Sequence, residues 1–254
     1  MSKLYDRADL YDLIENDFRT KSIREDWKAF IGKRKIRTLL DVSIGTGSMT
    51  LPLQELGIRI YGSDLSEAML SRCDVKAKIK GRPIELKRSD FRDLACWKGR
   101  LFDCVVSTGN ALAYGNNEDV LQTLEQMDQL VKPGGYLCFD SRNWEKIQRE
   151  RQRFYLYNPF FKDGNRINLV QVWDHNADGS ITFHLLYSFE KENRIMQKEF
   201  FEERYHPFAK NMALNKMRDM GYTNLKLRPV PCEIQENDFE KIDWYRVIGR
   251  KPVL

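Results

Sequence analysis

The stretch LLDVSIGTG, residues 39–47, joins a largely apolar run to two closely spaced glycines. The run at 36–42 predicts a buried parallel β-strand, and a helical pattern begins near Ser48. The glycines therefore fall in a tight turn, where a missing Cβ lets a ligand approach the backbone. The start of a helix also presents unpaired N–H groups. Strand, turn and helix together predict a nucleotide-sized site at the carboxyl end of the strand.

The next predicted strand, at 58–64, ends in an acidic residue. Asp64 follows the glycine turn by about 20 residues, the spacing of a carboxylate that binds a ribose. Dinucleotide dehydrogenases carry G-x-G-x-x-G, whereas Thr50 stands here at the position of the third glycine. Two glycines alone also fit an ordinary strand-to-helix turn. The agreement of turn and acid favours a cofactor site.

Strand-like and helical patterns alternate from 36 to 141, which predicts a parallel sheet with right-handed crossovers. A helix at 118–131 is followed by Lys132-Pro133-Gly134-Gly135, a strong signal for a helix end and a turn. The third strand is amphipathic, as expected near a sheet edge. The predicted strands lie at 36–42, 58–64, 84–90, 102–107 and 136–140.

The pattern changes at 153–206, where strand-like segments follow one another without helices. Asn176-Ala177-Asp178-Gly179 is typical of a hairpin turn between two of them. A helix at 208–220 and strands at 225–230 and 244–249 then return to the main sheet. We predict an α/β fold: a Rossmann-like, doubly wound, mainly parallel seven-stranded sheet with an antiparallel insertion over the active site. Its predicted parts are an N-terminal helical lid (1–35), a cofactor-binding core (36–145), the covering insertion (146–206) and the C-terminal helix and strands (207–254).

Composition limits the classes of function. The chain of 254 residues carries 42 Lys+Arg against 37 Asp+Glu, a mild and scattered excess that disfavours nucleic-acid binding. No apolar run approaches the roughly 20 residues of a membrane span, and the N-terminus lacks a signal-peptide core. Five cysteines without a C-x-x-C pair fit reduced thiols in the cytoplasm. The three histidines are not spaced as metal ligands, so we expect no metal site.

The run D-V-S-I-G-T-G at 41–47 resembles D-x-G-x-G-x-G, the first motif of class I (Rossmann-like) S-adenosylmethionine-dependent methyltransferases, with Ser43 at the first glycine. The segment YDRADLYD at 5–12 resembles the lid of many small-molecule members. Asp90 and Phe91 match the family position that receives the adenine, although a helix N-cap is the alternative role for Asp90. The resemblance implies S-adenosylmethionine as cofactor and the cofactor-binding residues Tyr11, Asp41, Gly45, Gly47, Asp64, Leu65, Met69, Asp90, Phe91 and Thr108.

Two further runs resemble the glycine N-methyltransferase and glycine–sarcosine methyltransferase group. S-T-G-N-A-L-A-Y at 107–114 is similar to that group's G-N-S-x-x-H, and D-S-R-N-W-E at 140–145 is similar to D-x-R-N-Y-D. The resemblance implies that Asn110 and Arg142 position an amino-acid substrate; an ion pair with Asp140 or a nearby acid is the alternative role for Arg142. The sequence departs from the pattern at Ala111, Tyr114 and Trp144. The predicted substrate-binding residues are Tyr114, Tyr155, Tyr157 and Tyr205.

These patterns favour methyl transfer from S-adenosylmethionine to the amine of an amino acid or related small compound, by in-line displacement. A small-molecule methyltransferase with an oxygen acceptor or another amine acceptor is the nearest alternative. An RNA or protein methyltransferase would carry a basic face or an N-P-P-Y-type run after the fourth strand, where S-T-G-N stands. A non-catalytic protein that binds S-adenosylmethionine is the remaining alternative. The oligomeric state is not predicted.

Overall fold

A computed structural model describes residues 4–231 and 238–253. Cys232 and residues 1–3 of the predicted N-terminal helical segment lie outside the described residues. The helices are α1 (Ala8–Tyr11), α2 (Asp17–Ile31), α3 (Glu67–Ile79), α4 (Asn117–Asp128), α5 (Trp144–Glu150) and α6 (Lys210–Asp219). The strands are β1 (Thr38–Asp41), β2 (Arg59–Asp64), β3 (Glu85–Arg88), β4 (Phe102–Ser107), β5 (Val131–Arg142), β6 (Phe154–Leu156), β7 (Phe160–Lys162), β8 (Asn165–His175), β9 (Ile181–Lys191), β10 (Arg194–Tyr205), β11 (Thr223–Pro229) and β12 (Trp244–Arg250). Short 3₁₀ helices lie at Leu4–Asp6, Asp12–Ile14, Leu51–Leu56, Ala95–Trp97, Ala111–Tyr114 and Phe239–Lys241.

The main sheet of the described chain has seven strands in the order β11-β12-β5-β4-β1-β2-β3. Its neighbours from β5 to β3 are parallel, whereas β12 runs antiparallel to both β5 and β11. The predicted Rossmann-like α/β fold is therefore confirmed, with β3 at one edge and the β11–β12 hairpin at the other. Because β1 and β4 lie in the middle, both of their faces are covered.

Side chains on successive residues of the central strands enter two separate cores. Leu39 of β1 belongs to the core that contains Trp27 and Phe30 of α2. Leu40, the next residue, belongs to the core that contains Leu124 of α4. This alternation explains why β1 reads as a continuous apolar run, since a strand buried on both faces needs no polar positions. Within the described residues, no helix is long and apolar enough to span a membrane.

Two local expectations are wrong. The helix expected near Ser48 is a 3₁₀ helix at Leu51–Leu56, with Pro52 in its first turn and Gly57 at its end. The run Lys132-Pro133-Gly134-Gly135 is not a turn before the fifth strand, because β5 already begins at Val131. The register of β5 on β4 shifts across this run, so the proline falls where the regular ladder is interrupted.

The segment after α5 forms a second, antiparallel sheet, which we call the covering sheet. Its strands lie in the order β10-β9-β8-β6, with β7 also paired to β8. The predicted hairpin turn at 176–179 joins β8 to β9, and Gly179 N donates to Asn176 O at 3.1 Å. At the end of β10, Tyr205 packs on Trp144 of α5 with ring centroids 5.6 Å apart. The covering sheet therefore meets the main sheet beyond the carboxyl end of β5.

Candidate functional site

The glycine turn is tied to the rest of the sheet by a buried acid. Asp41, the last residue of β1, is fully buried and accepts hydrogen bonds from Thr108 Oγ1 at 2.7 Å and Thr50 Oγ1 at 3.1 Å. The backbone N–H of Ser43 donates to the same carboxyl at 3.1 Å. Burial raises the pKa of Asp41 to about 7. The carboxyl thus links the turn after β1 to the loop after β4, where Thr108 lies.

Ser43, which stands where the family motif has glycine, makes a second link between these loops. Its Oγ donates to Thr108 O at 3.1 Å and accepts from Thr108 N at 3.0 Å. The hydroxyl also lies 3.0 Å from Ser107 Oγ. A glycine could make none of these bonds, so the departure from the motif fastens the two loops to each other.

The glycines leave room that a side chain would fill. Gly47 has φ +79°, and a Cβ there would lie 2.6 Å from the side chain of Leu51 and 2.7 Å from Cys73 Sγ. Gly45 has φ +53°, and its N–H donates to Asp64 Oδ2 at 2.9 Å. The other oxygen of Asp64 accepts from Ser66 N at 2.9 Å. Each carboxylate oxygen has a further lone pair, so this fixed carboxylate can also accept from ligand hydroxyls.

Burial raises the pKa of Asp64, against the backbone hydrogen bonds that favour its charged form. Beside it, Leu65 is 60% exposed, whereas Met69 on the first turn of α3 is fully buried. Ser66 caps this helix by accepting from Met69 N at 3.3 Å. An apolar side chain therefore remains open to a ligand next to the carboxylate.

The predicted adenine residues follow β3. Asp90 is held by its own loop: Arg92 donates to it from Nη2 at 2.6 Å, from Nε at 3.0 Å and from the backbone N–H at 2.9 Å. This pairing, led by the Arg92 side chain, lowers the pKa of Asp90, which is charged at neutral pH. No helix of the described chain begins here, so the helix N-cap role is wrong. Phe91 is half-buried against the neighbouring core.

The N-terminal segment contacts the loops on both sides of the glycine turn. Ser66 Oγ donates to the backbone oxygen of Tyr5 at 3.0 Å. The hydroxyl of Tyr11 lies 3.7 Å from the position that a Cβ would take on Gly109. The N-terminal segment thus bridges the loop after β2 and the loop after β4, the two loops that flank the glycine turn.

Three tyrosines that are distant in sequence form a chain of hydroxyls. Tyr5 is hydrogen-bonded to Tyr114, and Tyr114 lies 2.7 Å from Tyr205 between their hydroxyl oxygens. Burial raises the pKa of Tyr5 and Tyr114 well above the ordinary value and that of Tyr205 to about 12. All three are neutral at physiological pH, so they offer polar but uncharged groups. Tyr5 was not among the predicted site residues; its place in the lid segment with Tyr11 was the available signal.

Asn110, three residues after the end of β4, has φ +63° and is hydrogen-bonded to β5 through its side-chain oxygen. Its Oδ1 accepts from Arg142 N at 3.0 Å and from Ser141 Oγ at 3.2 Å. Its backbone N–H donates to Asp140 Oδ1 at 3.0 Å. Within the described chain its amide nitrogen makes no hydrogen bond, so that nitrogen remains available.

Arg142, the last residue of β5, is half-buried among aromatic rings rather than acids. Its guanidinium carbon lies 5.0 Å from the ring centroid of Trp244, 5.3 Å from that of Trp173 and 5.5 Å from that of Phe183. Among the residues at 4–231 and 238–253, no carboxylate forms an ion pair with Arg142, so the predicted alternative with Asp140 is wrong. The three rings were not predicted, although the alternation along β8 and β9 would have placed Trp173 and Phe183 on one face.

The other two predicted tyrosines lie on the same side. Tyr157 is largely buried and lies against Arg142, while its hydroxyl accepts from Gln171 Nε2 at 3.4 Å. Tyr155 is 38% exposed and stacks on Trp173 at 5.9 Å between centroids. Tyr157 thus contacts the guanidinium directly, whereas Tyr155 reaches it through the Trp173 ring.

The described residues contain no group of His, Cys, Asp and Glu arranged to hold a metal ion. The four cysteines in the described chain, Cys73, Cys96, Cys104 and Cys138, are free thiols. The chemical groups at the site are therefore the carboxylates, hydroxyls, amide and guanidinium described above.

Comparison with known proteins bears on this arrangement. Residues 39–135 match the methyltransferase domain family. The chain is 29% identical over 219 residues to a glycine/sarcosine N-methyltransferase of Halorhodospira halochloris, covering 84% of this chain and 76% of that one. It is 28% identical to a glycine/sarcosine N-methyltransferase of Aphanothece halophytica, over 83% of this chain and 72% of that one. A crystal structure of an S-adenosylmethionine-dependent methyltransferase from Clostridium acetobutylicum superposes with a TM-score of 0.77 at 15% identity, covering 96% of this chain and 97% of that one.

Other matches are shorter. A Bacillus subtilis protein is 36% identical over 110 residues, and the matched part spans 44% of that protein's length. A Geobacillus protein is 26% identical over 172 residues, which span 66% of its length. The chain thus spans less than two thirds of the length of these two relatives.

Residues 39–135, which include the glycine turn after β1, therefore match a methyltransferase domain, and the seven-stranded sheet has the fold of class I S-adenosylmethionine-dependent methyltransferases. Among the methyltransferases of this class, the glycine/sarcosine N-methyltransferases are similar to the chain over most of its length. Its residues fit the cofactor that defines the class, because Gly47 leaves space that a Cβ would fill and Asp64 presents a fixed carboxylate.

Proposed function

We propose that this protein transfers a methyl group from S-adenosylmethionine to the amine of an amino acid or a related small carboxylate-bearing compound. The observation that carries the proposal is Arg142, a half-buried guanidinium without a carboxylate partner in the described chain. Burying an unpaired charge is costly, whereas a bound carboxylate would satisfy the planar guanidinium at two positions. The aromatic rings around it limit competition from water.

The acceptor's place follows from the neighbours of Arg142. Its backbone N–H is bonded to Asn110, whose free amide nitrogen can donate to the same acceptor. Tyr205 and Tyr114 lie between this group and the lid, as neutral hydroxyls that can orient an amine without trapping it as a cation. We assign Asn110 and Arg142 to acceptor positioning and Tyr114, Tyr155, Tyr157 and Tyr205 to the pocket wall.

On the cofactor side, we assign Asp64 to the ribose and Asp90, Phe91 and Leu65 to the adenine. We assign Thr108 and the turn of Asp41, Gly45 and Gly47 to the methionine end, which Tyr11 of the proposed lid would cover. Met69 packs beneath the loop that carries Asp64 and Leu65. When bound, the cofactor would supply an electrophilic sulfonium methyl: the amine lone pair would attack the methyl carbon in line, and the C–S bond would break to leave a neutral thioether. Fixing both reactants in line can lower the barrier by about 7–11 kcal/mol, and the chain's residues contribute by alignment. The amine must be neutral to react, so its proton leaves to water before transfer.

The same reasoning extends to organisation and location. We propose that 1–35 is a lid, 36–145 the cofactor-binding core, 146–206 the covering part and 207–254 the completion of the sheet. Small-molecule rather than nucleic-acid acceptors are supported by the mild charge excess of +5. The free thiols support a cytoplasmic location.

The proposal is tested by labelled methyl transfer to glycine, sarcosine and amines without a carboxylate, with the parent protein, Arg142→Lys and Arg153→Lys. Lysine keeps the charge but loses the planar fork. We expect Arg142→Lys to lower kcat/KM for the amino acids by at least about tenfold, equivalent to about 1.4 kcal/mol. Arg153, an exposed arginine paired with Asp174, is the matched control and should change nothing.

Three results would count against the proposal. Equal losses for acceptors with and without a carboxylate would make Arg142 structural. Efficient transfer to oxygen acceptors or carboxylate-free amines would favour the small-molecule alternative. Stoichiometric binding of S-adenosylmethionine without transfer to any acceptor would favour a non-catalytic binding protein.

A further inference from the structure

The outer face of the covering sheet, which points away from the main sheet, carries an apolar row between polar positions. The inner face is buried and includes Leu169, Phe183 and Leu185. The residues between these point to the outer face. In an antiparallel sheet that is exposed on one side, such outward residues are expected to be polar. Instead, one continuous cross-strand row is apolar throughout. This row, Leu156, Val170, Leu186 and Phe200, is called the apolar row below.

The row is open to solvent. Leu156 is 72% exposed, and Leu186 and Phe200 are each 42% exposed. Phe154, at 61% exposure, pairs with Val172 and adjoins the row on the same face. Phe161 and Ile195, at 78% and 54% exposure, lie farther along this face, on either side of the paired Arg166 and Glu190. Scattered exposed apolar side chains are ordinary, but a contiguous set such as the row with Phe154 marks an interaction surface.

Charged residues flank the row in a pattern that complements itself. Lys198 and Glu202 lie two residues to either side of Phe200 on β10, so they share its face. Glu202 contacts His184, whereas Lys198 has no ion-pair partner in the described chain. A two-fold rotation about an axis along the row would place Lys198 of one copy opposite Glu202 of another. The same rotation would place apolar row on apolar row.

We propose that two copies of this chain associate through the outer faces of their covering sheets as a symmetric dimer. A two-fold interface uses the same surface twice and therefore requires self-complementarity, which the row and its flanking charges provide. The strands β8, β9 and β10 contain 11, 11 and 12 residues. With the three residues of β6, at ~4.8 Å between strands and ~3.4 Å per residue, they present roughly 600 Å². This is at the lower end of the ~600–1,000 Å² that each partner contributes to a standard interface.

The dimer would leave both candidate sites open, because the site lies on the opposite, inner face of each covering sheet. Arg142 contacts Trp173 and Phe183, whose side chains point inward from β8 and β9. Stacking a second sheet on the outer face would restrain these strands from behind. The two covering sheets would therefore stack at the centre of the dimer, with the two sites outside the interface.

Sedimentation velocity of the full chain over a concentration series tests the interface. The parent should sediment as a dimer, and Leu186→Lys should raise the dimer dissociation constant by at least about tenfold. Ile79→Lys is the matched control: Ile79 is 80% exposed on α3, outside the covering sheet, and the variant should remain dimeric. A parent that stays monomeric at all soluble concentrations overturns the proposal, as does a dimer that Leu186→Lys leaves unchanged.

A charge reversal tests the same interface without introducing a charge into the row. Lys198→Glu and Glu202→Lys should each weaken the dimer at low salt, and the double variant should restore the dissociation constant toward the parent value. Circular dichroism verifies that each variant is folded. If the two substitutions together weaken dimerisation by the combined effect of the single substitutions, the two residues do not meet across the interface and the proposed axis is wrong.

Discussion

The carboxyl edge of the main sheet and the inner face of the covering sheet hold their functional groups by different means. At the edge, Asp41 and Asp64 are fixed by backbone N–H groups and short hydroxyl side chains at 2.7–3.1 Å. Against the inner face of the covering sheet, Arg142 of β5 and Tyr205 of β10 are surrounded by large rings at 4.7–5.6 Å between centres. Polar bonds fix a geometry that tolerates little change, whereas ring packing defines a cavity whose shape can vary. We therefore expect the edge to hold the cofactor and the ring-lined cavity to hold the acceptor.

The largest expected effect lies at the rigid edge. Gly47→Ala combines a left-handed backbone, at about 1–2 kcal/mol, with a Cβ that would lie 2.6 Å from Leu51, at about 1–3 kcal/mol for overpacking. We expect a loss of about 2–5 kcal/mol in unfolding free energy, with S-adenosylmethionine binding abolished. Urea denaturation and calorimetry measure the two quantities.

Gly57→Ala is the matched control for this substitution. Gly57 has the same φ of +79°, but a Cβ there would meet nothing within 4 Å. It should lose only the backbone contribution and keep its cofactor affinity. Equal losses in the two variants would mean that Leu51 and Cys73 shift easily, and the edge would then be less rigid than the comparison requires.

The second-largest expected effect is a pH dependence of stability that arises from Asp41 at the carboxyl edge of the main sheet. Burial raises the pKa of Asp41 to about 7, so between about pH 4 and pH 7 the folded protein holds a proton that the unfolded chain has lost. Stability therefore falls as pH rises through this window, by on the order of 4 kcal/mol at most. Asp41→Asn imitates the protonated carboxyl, and its advantage over the parent should grow from pH 5 to pH 8. Urea denaturation of both proteins measures this; a constant difference across the window would contradict the shift.

The smallest effect should come from the covering sheet. Tyr205→Phe removes the hydroxyl that is bonded to Tyr114 but keeps the ring, at about 0.5–1.5 kcal/mol. We expect KM for the acceptor to rise several-fold at unchanged cofactor affinity, measured by initial rates and calorimetry. Tyr155→Phe is the control, because Tyr155 is partly exposed and lies outside the hydroxyl chain. Weaker cofactor binding in Tyr205→Phe would show that the two regions are not separate.

The alternation of apolar runs and helices was sufficient to predict the main sheet, since a parallel strand buried on both faces leaves a continuous apolar signal. β4 begins and ends as predicted, at Phe102 and Ser107. The runs at 48–56 and 131–135 were predicted less well. There, proline and glycine mark a break in regular structure without specifying whether a helix, a turn or an interrupted strand carries it.

The positions of Asp41, Asp64, Asn110 and Arg142 at one edge of the molecule followed from sequence, because each lies at the end of a predicted parallel strand and such ends meet on the same side of a sheet. Only the tertiary structure decided what surrounds them. Tyr5, Tyr114 and Tyr205 lie 91 and 109 residues apart along their hydrogen bonds, and Trp173, Phe183 and Trp244 reach Arg142 from three different strands. Local periodicity determines which face of a strand is buried. How one sheet docks on another depends on side chains from the whole chain, and that docking determined the surroundings of Arg142.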